Sequence, residues 1–162
     1  MKLHVVFRLD DTQYALPIDD VLQMETFTGA TAVPGSPPYV SGIVTIRGRV
    51  VPVIDLRVRF GMPPAAVTLD TRMVVTQSQG RIVALRVDSA REVLKLDLQK
   101  HQPAPAVISE RSAGFVHAVH AVGDRLLLLV DLPQILGDTS HVQPPHALLD
   151  ADGFKPHPAL PG

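Results

Sequence analysis

The stretch YVSGIVTIRGRVVPVIDLRVRF, residues 39–60, decides how the rest of the chain reads. Two β-rich runs, 40–46 and 49–55, flank the dipeptide Arg47-Gly48. Gly48 supplies the positive φ that a tight turn needs, so the stretch is a β-hairpin. Ile43 and Thr45 point one way and Val44 and Ile46 the other, which puts apolar side chains on both faces. Such a strand belongs between two layers or in the wall of a small barrel, not on a sheet with one wet face. Pro52 has no N–H to donate and is expected at an edge or a bulge. Arg47 stands at the turn, where its side chain is free to project.

Working outward, residues 3–9 and 12–16 make a first hairpin around Asp10-Asp11, and Pro17 stops it. Asp19 or Asp20 is expected to cap a helical turn over 20–24, with Val21 and Met24 on its inner side. A third strand over 23–27 follows, then a Pro- and Gly-rich loop over 29–38. Beyond the central hairpin, 56–60 reads as one helical turn, ended by Gly61-Met62-Pro63-Pro64. Residues 72–77 and 81–87 flank the turn signal Ser78-Gln79-Gly80, and 91–96 is a further run. Residues 101–114 read as a long loop. Residues 115–122 and 125–130 pair around Gly123-Asp124, and Pro133 opens a closing helical turn at 132–136. These are ten short strands, five on each side of a division near 61–69. The pattern indicates an all-β fold of small barrels or a sandwich.

Composition narrows the function classes. Hydrophobic residues are 46% of the 162, enough for a real core. A net charge of −1 gives no basic field for nucleic acid or anionic lipid. With no cysteine, disulfides and thiolate chemistry are excluded. The start MKLHVVFRLDD does not read as a signal peptide, and no apolar run approaches the length of a membrane span. A cytoplasmic protein without membrane insertion is the plain expectation. Fifteen prolines are an excess, and five of them follow Gly137, so 138–162 reads as a poorly ordered Pro/His-rich tail.

Little in the chain points to chemistry. His117 and His120 would share a face on a helix, but on a strand they point to opposite faces, so metal binding is not expected. Asp55, Asp88 and Asp131 each end a strand, where turn chemistry explains them better than acid–base work. Arg47, Arg49, Arg57 and Arg59 cluster in sequence, yet no aromatic is interleaved to stack bases, so they read as a solvated rim with local ion pairs. No catalytic residue, cofactor or metal is assigned. Val21, Met24 and Ile43 read first as core. Their functional reading is a shallow apolar groove between two barrels that holds a partner helix.

The hairpin also resembles the signature of the CheW-like domain, P-x-Y/F-[IV]-x-G-[VI]-x-N-L-R-G-x-[VI]-[VI]-P-[VI]-[VI]-D-L-R. This chain reads Pro37-Pro38-Tyr39-Val40-Ser41-Gly42-Ile43-Val44-Thr45-Ile46-Arg47-Gly48 and then Arg49-Val50-Val51-Pro52-Val53-Ile54-Asp55-Leu56-Arg57. It departs at Thr45, where the family has Asn. The resemblance implies two five-stranded SH3-like barrels side by side, over a domain spanning 1–137. It further implies a non-enzymatic adaptor that couples the cytoplasmic helical hairpin of chemoreceptors to the regulatory domain of the histidine kinase CheA. Contacts with other CheW-like domains and recruitment to membrane-associated receptor arrays belong to the same expectation. Gly42, Arg47 and Gly48 match the central motif, with Ile43 and Thr45 beside them. Val21, Gln23 and Met24 occupy the family's V-x-E-I turn, with Gln in place of the acid. The alternatives are an adaptor in a pathway controlling pili or second messengers, and a small-barrel peptide-binding module outside any array.

Deleting 138–162 is expected to leave the fold's melting temperature within a few degrees of the parent, measured by thermal denaturation. A domain of this size moves about 2–4 °C or somewhat more per kcal/mol, so a larger drop would show that the tail packs.

Overall fold

The computed structural model describes residues 1–111 and 114–137; the Pro/His-rich tail, 138–162, lies outside the described residues. The chain is built of strands β1 (Lys2–Leu9), β2 (Thr12–Pro17), β3 (Val21–Thr26), β4 (Val40–Ile46), β5 (Arg49–Asp55), β6 (Arg72–Ser78), β7 (Arg81–Val87), β8 (Ser89–Leu96), β9 (Gln102–Pro103), β10 (Val116–Val122) and β11 (Arg125–Val130). Three short helices interrupt them, α1 (Leu56–Arg59), α2 (Ala106–Arg111) and α3 (Leu132–Leu136).

Two sheets form, with strand orders β8-β1-β2-β11-β10-β9 and β3-β6-β7-β5-β4. They are the two small SH3-like barrels. The second holds five strands, as expected; the first holds six, the extra one being the two-residue β9 inside the segment read as loop. The division expected near 61–69 is corrected. That segment lies inside the second barrel, between α1 and β6. The second barrel is a continuous insertion from β3 to β7, and the chain returns to the first barrel at β8. Two parallel pairings enforce this. Leu127, Leu128 and Leu129 lie beside Gln13, Tyr14 and Ala15, and Val53, Ile54 and Asp55 lie beside Ala84, Leu85 and Arg86. Sequence order does not reveal such pairs, because the partners are not joined by a hairpin.

The helical turn expected at 20–24 is also corrected. A 3-10 turn at Ile18–Asp20 comes first, and Val21 to Thr26 are strand, paired with β6. Neither Asp19 nor Asp20 caps it: the N-cap is Pro17, without a side-chain bond, and Asp19 pairs instead with Lys2 at 2.6 Å. The run V-L-Q-M-E-T has more to gain from the open edge of β6 than from one isolated turn of helix, which is costly to nucleate.

Three apolar cores result. Val6, Ala15, Leu96, Ala118, Leu127 and Leu129 fill the first barrel. Ile46, Val51, Val53, Met73, Val75 and Ala84 belong to the second. The largest lies between the barrels. There Val5, Phe7, Leu9 and Leu16 from one sheet meet Ile54, Val74, Val83 and Leu85 from the other, with Leu132, Ile135 and Leu136 of α3. This explains the two-faced pattern of the central hairpin: Val53 serves the second barrel and Ile54 the inter-barrel layer, and both are 0% exposed.

Truncation of either should therefore be felt. Ile54→Ala is expected to cost about 2–5 kcal/mol of unfolding free energy, and Val53→Ala somewhat less, in urea denaturation. Parent-like midpoints for both variants would contradict the three-core arrangement.

Candidate protein-interaction surface

The β4–β5 hairpin carries its turn as a two-residue connection, with φ of 52° at Arg47 and 76° at Gly48. Two successive positive φ values make a type I′ turn, whose favoured pairs are Asn-Gly and Asp-Gly. Arg47 therefore occupies a left-handed conformation that costs a non-glycine residue roughly 1 kcal/mol or more. Its side chain is exposed. Asp10 and Gln79 take the same conformation at the β1–β2 and β6–β7 turns, at φ 53° and 54°.

Behind the tip, Ile43 is half-buried and Thr45 is exposed. Both line a shallow cleft with Thr26, Thr31 and Met73. Gly42 closes the back of it. Thr31 and Ile43 exchange backbone hydrogen bonds of 2.9 and 2.8 Å, and a Cβ on Gly42, at φ 140°, would come within 2.1 Å of the Thr31 carbonyl oxygen. Gly42 is thus a backbone-approach residue, as Gly48 is a turn residue; neither offers a side chain to a partner.

Of β3, Thr26 reaches this cleft, whereas Val21, Gln23 and Met24 do not line it. Val21 packs against the inter-barrel core, while Met24 is 40% exposed. Gln23 donates a side-chain hydrogen bond to Glu25, so an acidic group still lies beside the position where the family has one. The apolar groove expected between the barrels is not the surface there. That cleft is polar, lined by Arg8, Asp10, Arg57, Asp88 and Arg91, because the apolar faces are already buried against each other.

Several residues read as rim or turn chemistry prove to be the clamps that fix the hairpin. Asp55 caps α1 by accepting from the N–H groups of Arg57 (3.0 Å) and Val58 (3.4 Å), and lies 3.6 Å from Arg86. Arg57 forks onto Asp88, with Nε donating to Oδ1 at 2.8 Å and Nη2 to Oδ2 at 2.6 Å, and also pairs with Asp10 on the β1–β2 turn. Burial alone would raise the Asp88 carboxyl, but the hydrogen bonds from Arg57 and from the Asp10 N–H outweigh it and hold it below the usual carboxylate value. Arg59 is stacked on Tyr39 (4.2 Å) and Phe115 (4.8 Å) while donating to the carbonyls of Ile135 (2.8 Å) and Gln134 (3.2 Å). It thereby satisfies the exposed end of α3. The clustering of Arg57 and Arg59 was legible in the sequence. Their partners were not, because Asp88 and Phe115 lie 31 and 56 residues away from them along the chain.

A two-barrel scaffold with this hairpin at its outer edge matches a known domain. The model of the CheW-like domain matches residues 3–140. The chain belongs to the CheW-like domain family. A probable chemotaxis protein CheW of Rhizobium etli is 33% identical over 135 residues, covering 83% of this chain and 87% of the relative. The chemotaxis protein CheW of Rhizobium meliloti is 32% identical, covering 81% and 84%. Among solved structures, the scaffolding protein TtCheW of Thermoanaerobacter tengcongensis aligns with a TM-score of 0.74 and 31% identity, over 81% of this chain and 84% of that one.

The Arg57–Asp88 pair sets a pH dependence for the fold of this CheW-like domain. Asp88 is lowered in the folded state, so its contribution is present above the unfolded carboxyl value near 3.9 and is lost as pH falls through the lower folded value. Asp88→Asn is expected to cost about 1–2 kcal/mol at pH 7, and the gap between parent and variant should close as pH falls below the unfolded carboxyl value of about 3.9, by denaturant titration. A gap unchanged on acidification would mean that ionisation of Asp88 contributes nothing to it.

Proposed function

We propose that this chain is a non-enzymatic adaptor that couples chemoreceptors to the histidine kinase CheA, binding the kinase's regulatory domain and the receptor's cytoplasmic helical hairpin. The observation that carries the reading is Arg47, an exposed guanidinium kept in a strained turn at the position of the family's N-L-R-G arginine. Membership of a family whose solved relative is titled a scaffolding protein supports it. In such an adaptor the protein catalyses nothing; its differential affinity for receptor states is what biases the kinase. Ile43, Thr45 and the Thr26 rim form the shallow surface beside the arginine, and Met24 with Gln23 and Glu25 forms a separate contact on the opposite edge strand of the same sheet. Gly42 and Gly48 act by shaping the hairpin. Recruitment to receptor arrays follows from these contacts; no described helix is long and apolar enough to cross a membrane.

Two variants separate partner recognition from folding. Arg47→Asn places the favoured residue in the type I′ turn, so the melt should stay level or rise, while titration with the kinase regulatory domain or a receptor fragment should weaken by about thirtyfold, or about 2 kcal/mol. Arg47→Glu should bind worse still. Unchanged affinity for both partners would remove Arg47 from the interface, and a collapsed melt in both variants would make it a structural residue.

A further inference from the structure

Three imidazoles meet at one end of the first barrel. His4 on β1 and His120 on β10 are 1% and 5% exposed, and the half-buried His101 covers them. The ring of His101 stands edge-on to His4 at 5.8 Å and to His120 at 4.9 Å, with interplanar angles of 76° and 87°. Nδ1 of His4 donates to the Lys2 carbonyl at 3.0 Å, whereas Nε2 of His101 and Nδ1 of His120 are buried with no hydrogen-bond partner. Among the described residues no three ligating groups converge as a metal site would require.

The surroundings disfavour a charged imidazole. Burial pushes His4 and His101 below the usual histidine value, and the neighbouring imidazoles lower His101 further. The charged groups nearby are committed elsewhere. Lys2 and Asp19 pair with each other at 2.6 Å, and Asp97 caps the 3-10 turn Leu98–Lys100 by accepting from Gln99 N–H at 3.0 Å. The exposed His117 on β10 also lowers His101, and the opposing pull of Asp97 is the smallest of the influences on it.

His101 also immediately precedes β9. That strand pairs with β10 only at Ala118 and Val119, and the next residue, Ala104, adds one backbone bond of 3.4 Å to His117. So short an edge strand is weakly held by its own ladder. Beyond that ladder, the segment is held on one side by the docking of His101 between His4 and His120 and on the other by Ala104 and Ile108 packed on the inter-barrel core.

We propose that the His4–His101–His120 cluster is a proton-operated latch that docks β9 on the first barrel when neutral and releases it, baring the β10 edge, when protonated. His101 is the most exposed of the three, and the latch turns on its protonation. An imidazolium wedged among two more imidazoles, with no carboxylate to accept from it, is better solvated outside, so His101 swings out and carries β9 with it. The docked state is favoured above the ordinary histidine value near 6.5 and loses ground as pH falls below it, about tenfold in the docked-to-released ratio for each pKa unit separating the two states.

NMR of the full chain between pH 8 and 5 tests this. The amide resonances of Gln102, Ala118 and Val119 should move with the same midpoint as the His101 imidazole, below about 6.5. His101→Phe keeps an aromatic ring in the stack but removes the proton, and should hold those amides at their high-pH positions throughout. Amides that ignore pH in the parent, or that titrate equally in the Phe variant, would overturn the latch. If His101→Phe does not fold, His101→Leu, which also removes the titrating ring while keeping an apolar side chain in the stack, is read in the same way.

Discussion

The apolar layer between the two barrels is the constraint on which the rest depends. Each barrel fills its own interior with a modest set of Val, Ala, Leu and Ile, but the largest cluster lies where the outer faces of β1 and β2 meet those of β5, β6 and β7. Neither sheet has a wet face at that contact, so strands such as β5 must be apolar on both sides. The layer is continued by a run of rings, Phe7 on Tyr14, Tyr14 against Phe60 and Phe60 on Phe115, that passes from the first barrel through the end of α1 to the start of β10. Separating the barrels would expose this whole surface, which makes the two halves one folding unit despite their separate interiors.

The polar clamps close the edges of that layer. Arg57 ties α1 to the β1–β2 turn and to Asp88, the point where the chain re-enters the first barrel, while Arg59 ties α1 to α3. The two barrels also repeat one local device. Asp55 donates its N–H to the Tyr39 carbonyl at 2.7 Å and Asp131 donates its own to the Phe115 carbonyl at 2.7 Å; each carboxylate then caps the short helix that follows. A strand-ending Asp serves both purposes, because its backbone finishes a ladder while its side chain starts a helix. Tyr39 and Phe115, at matching places in the device, are the two faces between which Arg59 is held.

With the hydrophobic faces buried on each other, the surfaces left for partners are hairpin tips, sheet edges and shallow clefts. Arg47 at its strained tip and the neighbouring Thr-lined cleft suit an adaptor, which recognises by contact and needs no enclosed pocket. The imidazole cluster occupies a different end of the molecule, on the first barrel, so a change in β9 docking alters a surface distinct from the Arg47 hairpin.

What the sequence determined by itself was local. Turn dipeptides such as Arg47-Gly48 and Gln79-Gly80, and the alternation around them, specified the hairpins nearly to the residue, because a two-residue turn sets register without help from distant chain. The hairpin's two-sided apolarity announced a strand between layers, and the motif it carries led to the family. Tertiary structure alone decided where the strands go. The insertion of the second barrel into the first rests on parallel pairs between segments far apart in sequence. The change of Val21 to Met24 from helical turn to strand rests on the edge that β6 offers. The partners of Arg57 and Arg59, and the meeting of His4, His101 and His120, join residues tens of positions apart. No periodicity records such contacts, since packing of one sheet against another is a property of surfaces that exist only after the strands have paired.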